Sequence, residues 1–410
     1  MPRGSALTGR MTPPDGSPTL SDPDPVIDPA ARLSRRTLAM DASGIRRAFE
    51  LGATLENPIN LSIGQPDFPV PDTMKSAAID AIQEDRNGYT VTQGIPALHE
   101  SIRRHLAHDL GWSRDGEEYS TIVTSGTSGG LLLASLALLD EGDEAIMPDP
   151  WFVLYPQLGH LTNATMVACD TYPDFRMTAA RVEPLISDRT KFVLVNSPGN
   201  PSGVVLTDDE MRDLAALCRG RGVQLVTDEI YDEFVFADSM RADGTCPSPA
   251  RFDHQALVIR GFGKTYGCTG WRLGYAAGPT WLVEQMRKLQ QFTYVCAPSP
   301  LQWGVIEAFD IDNTDQVARY AERCRLVMDA LSPHVEVVRP GGAFYAFFEV
   351  PPALGMTATE FMERAVQRRV LLVPGGVFSG RDTHVRLSFA VDEPVLREGL
   401  EILVDLLRGG

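Results

Sequence analysis

"KFVLVNSPGNPSGVVLTDDEMRDLAALCRGRGVQLVTDEIYDEF" (residues 191–234) holds a β-branched apolar run, a Pro- and Gly-built loop, an amphipathic helical stretch and a second apolar run in direct succession. The runs at 191–196 and 223–228 have strand length and composition, and Thr207 is an N-cap candidate for a helix over 208–219. Outward from here the same alternation extends from about residue 75 to 280, with strands predicted at 120–124, 143–147, 165–169, 256–260 and 273–277 and a helix at 129–139. Seven such strands predict an α/β fold: a large domain built on a mostly parallel sheet wrapped by helices.

Beyond residue 302 the pattern changes. Residues 303–331 read as one long helix, followed by short strands (335–339, 343–350, 384–390) and helices (358–368, 394–407). This predicts a smaller α+β domain over 303–410, joined by an N-terminal arm at 31–60, with 61–302 as the large domain. Residues 1–30 are rich in Pro, Gly, Ser and Asp and lack the apolar stretch of a secretory signal, so a disordered leader is expected. No internal repeat with a period of 20–50 residues is present.

Composition narrows the function classes. A chain of 410 residues with a formal charge of −17 repels nucleic acid and anionic membrane, and favours small-molecule chemistry. Six cysteines without CxxC spacing argue against a disulfide framework and fit a reducing, cytoplasmic compartment. The seven histidines form no metal-binding motif, and no apolar run approaches the ~18 residues of a membrane span.

Ligands of such sheets bind beyond the carboxyl ends of the strands, so chemistry is sought there. After 120–124 come Gly126, Thr127 and Ser128 at the start of a helix, a turn that suits a phosphate or is simply a cap. After 191–196 the loop 196–203 presents Asn200. After 223–228 come Asp228 and Tyr231. After 256–260, "GFGKTYGCTGWR" (261–272) carries Lys264 and Arg272. Gly263-Lys264-Thr265 resembles the end of a P-loop, but that motif needs a glycine at 258, where Val258 stands. A lysine, an aspartate, an asparagine, a tyrosine and a phosphate cradle at the exits of one sheet point to a cofactor with both a carbonyl and a phosphate. Pyridoxal 5'-phosphate meets that description: a lysine amine forms a Schiff base with its aldehyde, and a carboxylate keeps its pyridine nitrogen protonated.

On these blocks, together with "LSIGQPDFPVP" (61–71), "GYTVTQGIPALHESI" (88–102), "PDPWFVLYP" (148–156) and "HVRLSFA" (384–390), the chain resembles the class I/II pyridoxal-phosphate-dependent aminotransferases of fold type I. The resemblance runs from about Leu33 to the end. It implies that Lys264 forms the internal aldimine and moves the proton, that Asp228 pairs with the pyridine nitrogen, and that Asn200 and Tyr231 bond the ring oxygen. It further implies that Phe152 stacks on the ring, that Gly126, Thr127, Ser128 and Arg272 hold the phosphate, and that Arg386 clamps the substrate α-carboxylate near Gly64. Tyr89 matches a tyrosine that the family sends into the neighbouring subunit's phosphate site, which implies a homodimer with shared active sites. Two positions depart from the pattern: Gly261 stands where the family usually has a phosphate-binding serine, and Ser128 where some aspartate aminotransferases carry a lysine.

The resemblance implies amino-group transfer from an L-amino acid to a 2-oxoacid, 2-oxoglutarate or pyruvate, by a ping-pong mechanism. The alternative is a lyase, cyclase or synthase on the same fold, since these reactions share the lysine and the pyridine. A transcription regulator would need a DNA-binding module of about 60 to 80 residues ahead of the fold. The acidic leader is too short to supply one.

Overall fold

A computed structural model describes residues 28–40, 55–113 and 118–410. The predicted leader therefore lies almost wholly outside the described residues. Residues 28–40 belong to a separate small unit, and the rest of the described chain to a second. In the small unit, Asp28 accepts from Ala30 N–H at 3.0 Å over the turn Pro29–Arg32, and Ser34 caps the helical turn Arg35–Leu38.

The second unit contains twelve strands: β1 Ile59–Asn60, β2 Ser120–Thr124, β3 Glu144–Asp149, β4 Thr165–Asp170, β5 Thr190–Asn196, β6 Gln224–Asp228, β7 Leu257–Gly261, β8 Gly274–Gly278, β9 Tyr345–Glu349, β10 Val370–Leu371, β11 Val373–Pro374 and β12 His384–Ser388. The seven from β2 to β8 form one sheet in the order β2-β8-β7-β6-β5-β3-β4, the sheet expected from sequence. All neighbours pair parallel except β8, which runs antiparallel to both β2 and β7. Alternate residues of β5 feed two apolar layers: Val193 and Val195 enter one, Phe192 and Leu194 the other. A strand covered on both faces has to be apolar along nearly its whole length, which is why these segments read as continuous β-branched runs. Each fully buried Val or Leu contributes roughly 1.5–3 kcal/mol relative to exposure.

Helix Asp208–Arg221 shows how local signals set the layer. Thr207 and Glu210 form a capping box, Gly222 ends the helix at φ 66°, and Met211, Leu214, Ala215 and Cys218 bury one stripe against the sheet. The C-terminal part is built around a three-stranded antiparallel sheet, β11-β12-β9, with helices Thr314–Leu331, Ala358–Gln367 and Glu393–Leu407. β1 pairs parallel with β10, Ile59 opposite Val370, which ties residues 59–60 to this part of the chain.

Three expectations are corrected. Residues 303–331 are not one helix: a short helix Ser299–Gly304 and a 3-10 turn Glu307–Asp310 precede Thr314–Leu331. Apolar residues continue through the break, but Asp312 Oδ1 accepts from Thr314 N–H at 2.9 Å in a turn just ahead of the new helix, whose N-cap position is Asn313. Residues 335–339 make only an isolated bridge, Val337 opposite Phe348. The chain is drawn away by Gly341 and Gly342, whose N–H groups both donate to Gly203 O. The helix predicted at 129–139 starts earlier, spanning Gly126–Leu138. Among the described residues no helix is long and apolar enough to cross a membrane. The six cysteines are unpaired.

Candidate active site

The exits of β2, β5, β6 and β7 converge on a cavity of about 380 Å³, closed on the far side by residues 63–65, Tyr345 and Arg386. Every residue predicted for the site lines it except Tyr89, which is 87% exposed and belongs to no wall of its own chain's cavity.

The turn after β2 is shaped by close approach. Gly126 has φ 67°, and a Cβ there would lie 2.7 Å from Arg272 Nη2. A Cβ on Gly274 would meet the backbone of Gly126 and Thr127 at 2.9 and 3.0 Å, so this glycine lets β8 press against the turn. Arg272 itself is left-handed at φ 53° and donates to Thr269 O at 3.1 Å, leaving Nη2 over the turn. The backbone N–H groups at the start of helix Gly126–Leu138, the hydroxyls of Thr127 and Ser128, and this guanidinium make an anion cradle.

Asp228 ends β6 and is 3% exposed. Its Oδ2 accepts from the Tyr155 hydroxyl at 2.8 Å and its Oδ1 from Ile230 N–H at 3.3 Å. Burial pushes its pKa up to about 6, against the pull of these two hydrogen bonds and of Lys264. Lys264 sits in the helical turn Phe262–Thr265 directly after β7, with Nζ donating to Gly64 O. Withdrawal from solvent, then the charges of Arg386 and Arg272, bring its pKa down to about 8. An amine so tuned is a nucleophile and proton carrier near neutral pH.

Arg386 points inward from β12 and is 1% exposed. Nη1 donates to Asn200 Oδ1 and Nη2 to Ser62 O, both at 2.9 Å. Its guanidinium lies 4.5 Å from the Tyr345 ring and 4.7 Å from that of Phe378, while Nε is buried without a partner. A fixed, incompletely satisfied guanidinium is a carboxylate site. Asn200 is placed by its own N–H donating to Asn196 Oδ1, and Asn196 Nδ2 in turn donates to Asp228 O at 2.9 Å. The Tyr231 hydroxyl lies 3.0 Å from that of Tyr345. Phe152 meets Tyr155 edge-on at 5.7 Å.

Sequence reasoning did not single out Tyr155 or Tyr345. Tyr155 stands in the block 148–156 and Tyr345 in none, and their contacts to Asp228 and Tyr231 span 73 and 114 residues. It also passed over a second polar cluster behind the same strand ends. Arg260 donates from Nε to Glu229 at 2.9 Å and from Nη1 to Asp109 at 2.7 Å, with Asp232 at 3.2 Å. His105, Asp109, Asp232 and Glu233 offer ligand atoms within 4.8 Å of one another, but Arg260 already supplies a cation, so the cluster is read as an ion-pair network.

The cavity thus combines an amine of lowered pKa, one buried carboxylate, an anion cradle and a second guanidinium. The donor set fits a group bearing an aldehyde, a ring nitrogen and a phosphate. The family described as "Aminotransferase class I and II" matches residues 56–403. A probable N-acetyl-LL-diaminopimelate aminotransferase of Bacillus subtilis is 35% identical over 90% of this chain and 94% of its own. A putative aminotransferase of the same organism, YugH, is 34% identical over 90% and 96%. The solved structure of aspartate aminotransferase from Thermotoga maritima superposes with a TM-score of 0.84 at 32% identity, covering 92% of this chain and 100% of that one.

Proposed function

The chain belongs to the class I and II aminotransferase family and is a transaminase, and on that premise we propose that it moves an amino group from an L-amino acid to 2-oxoglutarate or pyruvate with pyridoxal 5'-phosphate held in the cavity described above. The observation that carries this reading is the meeting of Lys264, Asp228, Arg272 and Arg386 in one cavity. When bound, pyridoxal phosphate supplies an aldehyde for covalent attachment and a protonated ring that accepts electrons from a bond at the substrate Cα.

The chain's own residues do the rest. The backbone of Gly126, the hydroxyls of Thr127 and Ser128, and Arg272 hold the phosphate. Phe152 would cover one ring face, Asn200 and Tyr231 would donate toward the ring oxygen, and Asp228 would serve the ring nitrogen as a carboxylate. Lys264 Nζ, an amine of lowered pKa in the cavity wall, would be the group that holds the aldehyde and that takes and returns the proton at the substrate Cα. Arg386 fixes the substrate α-carboxylate by charge and fork geometry, with Gly64 at the same wall. Because donor and acceptor use one cavity in turn, ping-pong kinetics are expected.

Tyr89 is 87% exposed, Phe292 81% and Val91 55%, which supports a homodimer in which Tyr89 completes the partner's phosphate site. We read residues 61–302 as the cofactor-binding domain and 303–410, which brings Tyr345 and Arg386 to the cavity, as the smaller domain. The unpaired cysteines favour a cytoplasmic location.

The test is to load purified protein with pyridoxal phosphate and offer single amino acids with and without 2-oxoglutarate or pyruvate. Sustained oxoacid formation only with an acceptor supports transamination. Release without one points to lyase chemistry, and a protein that takes up no pyridoxal phosphate overturns the reading.

A further inference from the structure

We propose that Tyr155 is a positioning residue that keeps the Asp228 carboxylate ionised and fixed for the cofactor's ring nitrogen; the proposal rests on the reading of the cavity as a pyridoxal-phosphate site. Asp228 is closed off from solvent, and its oxygens have two donors: the Tyr155 hydroxyl at 2.8 Å and the longer bond from Ile230 N–H at 3.3 Å. A buried carboxylate without such donors takes up a proton, and a protonated one offers no charge to a pyridinium. Tyr155 is itself fully buried at the start of helix Tyr155–Thr162, edge-on to Phe152, so its hydroxyl is held in one place. Its own pKa is raised, by burial and then by Asp228, so it remains a donor at every working pH.

The other charged or titratable groups facing Asp228 are Glu229, which raises its pKa, Lys264, which lowers it, and Tyr231. Glu229 is engaged by Arg260 and Ser248, and Lys264 by Gly64. Tyr155 is thus the neutral donor through which Asp228 is tuned without adding charge to the cavity. With Asp228 at about 6, loss of this bond carries the carboxyl's titration into the neutral range.

The experiment is a titration of cofactor-free protein with pyridoxal 5'-phosphate between pH 5.5 and 9, read by absorbance, for the wild type, Tyr155→Phe, Asp228→Asn and the double variant. The proposal expects Tyr155→Phe to weaken binding roughly tenfold or more at neutral pH, the worth of one hydrogen bond to a charged group. It also expects the loss to shrink as pH rises, because the midpoint of the pH dependence moves up. In the Asp228→Asn background the same substitution should change nothing. An equal loss at every pH, or an undiminished loss in the Asp228→Asn background, overturns the proposal and leaves Tyr155 a packing residue. Wild-type protein that binds no pyridoxal phosphate overturns this proposal together with the functional reading, so the two failures are told apart. Should Tyr155→Phe not accumulate, 3-fluorotyrosine at 155, a stronger donor, must move the midpoint down.

Discussion

Two polar clusters flank the ends of β6 and β7, and they are built on opposite principles. In the cavity, Lys264, Arg272 and Arg386 surround a single carboxylate, Asp228. Behind it, Arg260 and His105 are outnumbered by Asp109, Glu229, Asp232 and Glu233. The second cluster surrounds its guanidinium with chain carboxylates, although Arg260 Nη2 itself is buried without a partner. The first leaves cations facing open space, and uncompensated cations at the end of a parallel sheet mark where an anionic ligand belongs. Buried charge alone does not locate a site; the imbalance does.

The comparison breaks most sharply at Lys264. Lys264→Ala should lower turnover by at least about 10³-fold through loss of the nucleophile and proton carrier, while thermal unfolding stays near wild type. Persistence of turnover, or of a borohydride-reducible bond to the cofactor, would place the chemistry elsewhere. Arg386→Ala should cost about 2–5 kcal/mol in kcat/KM, because it removes a buried fork and leaves Asn200 Oδ1 and Ser62 O unpaired. The loss should fall on kcat/KM for every α-carboxylate substrate, and cofactor affinity should change far less.

On the other side, Arg260→Met should destabilise the fold by about 3–5 kcal/mol, since it strands several buried carboxylates. Urea unfolding should show part of that loss recovered as pH falls and the carboxyls protonate. A loss independent of pH would make the effect one of packing.

Asp228 sharpens the contrast at smaller scale. Its folded pKa of about 6 lies above the ordinary aspartate value of 3.8, so the strain is absent below about pH 4 and grows as pH rises through about 6. Asp228→Asn should stabilise the cofactor-free protein by about 2–3 kcal/mol at pH 8 and by nothing at pH 4, as read by calorimetry. The smallest effect is expected at Gly261. A Cβ there would lie 2.6 Å from Ile230 Cδ1 and 3.0 Å from Thr127 Cγ2, contacts with side-chain methyl groups that can yield. Gly261→Ser should cost about 1 kcal/mol or less in stability and tighten cofactor binding a few-fold, if its hydroxyl joins the anion cradle. Weaker binding would mean that the displaced Thr127 matters more than the added donor.

The seven strands were legible because each is a short apolar run with a turn at its carboxyl end, and those same turns carry the site. Asn200, Asp228 and Lys264 could be named from one chain because strand exits in this architecture face one crevice. Legibility failed where tertiary partners decide. The apolar pattern through Val305, Ile306, Phe309 and Ile311 continues across a helix break that only the Asp312 turn reveals. Tyr155 and Tyr345 look like ordinary core aromatics until their hydroxyls meet Asp228 and Tyr231. Arg386 sits on an alternating strand, and nothing local tells that its face is the buried one.

The reversal of β8 has a consequence for how this chain can be rebuilt. The chain leaves the sheet at Gly261 and re-enters at Gly274, which pairs with both Gly261 and Thr124. Lys264 and Arg272 therefore share one short connection, whereas Asn200 lies in another and Asp228 at the end of β6. Surface loops elsewhere absorb added length at small entropic cost. An insertion between 264 and 272 would instead change the spacing of two cations that line one cavity. For circular permutation, or for grafting a sensor domain into this enzyme, that connection is the last place to open the backbone.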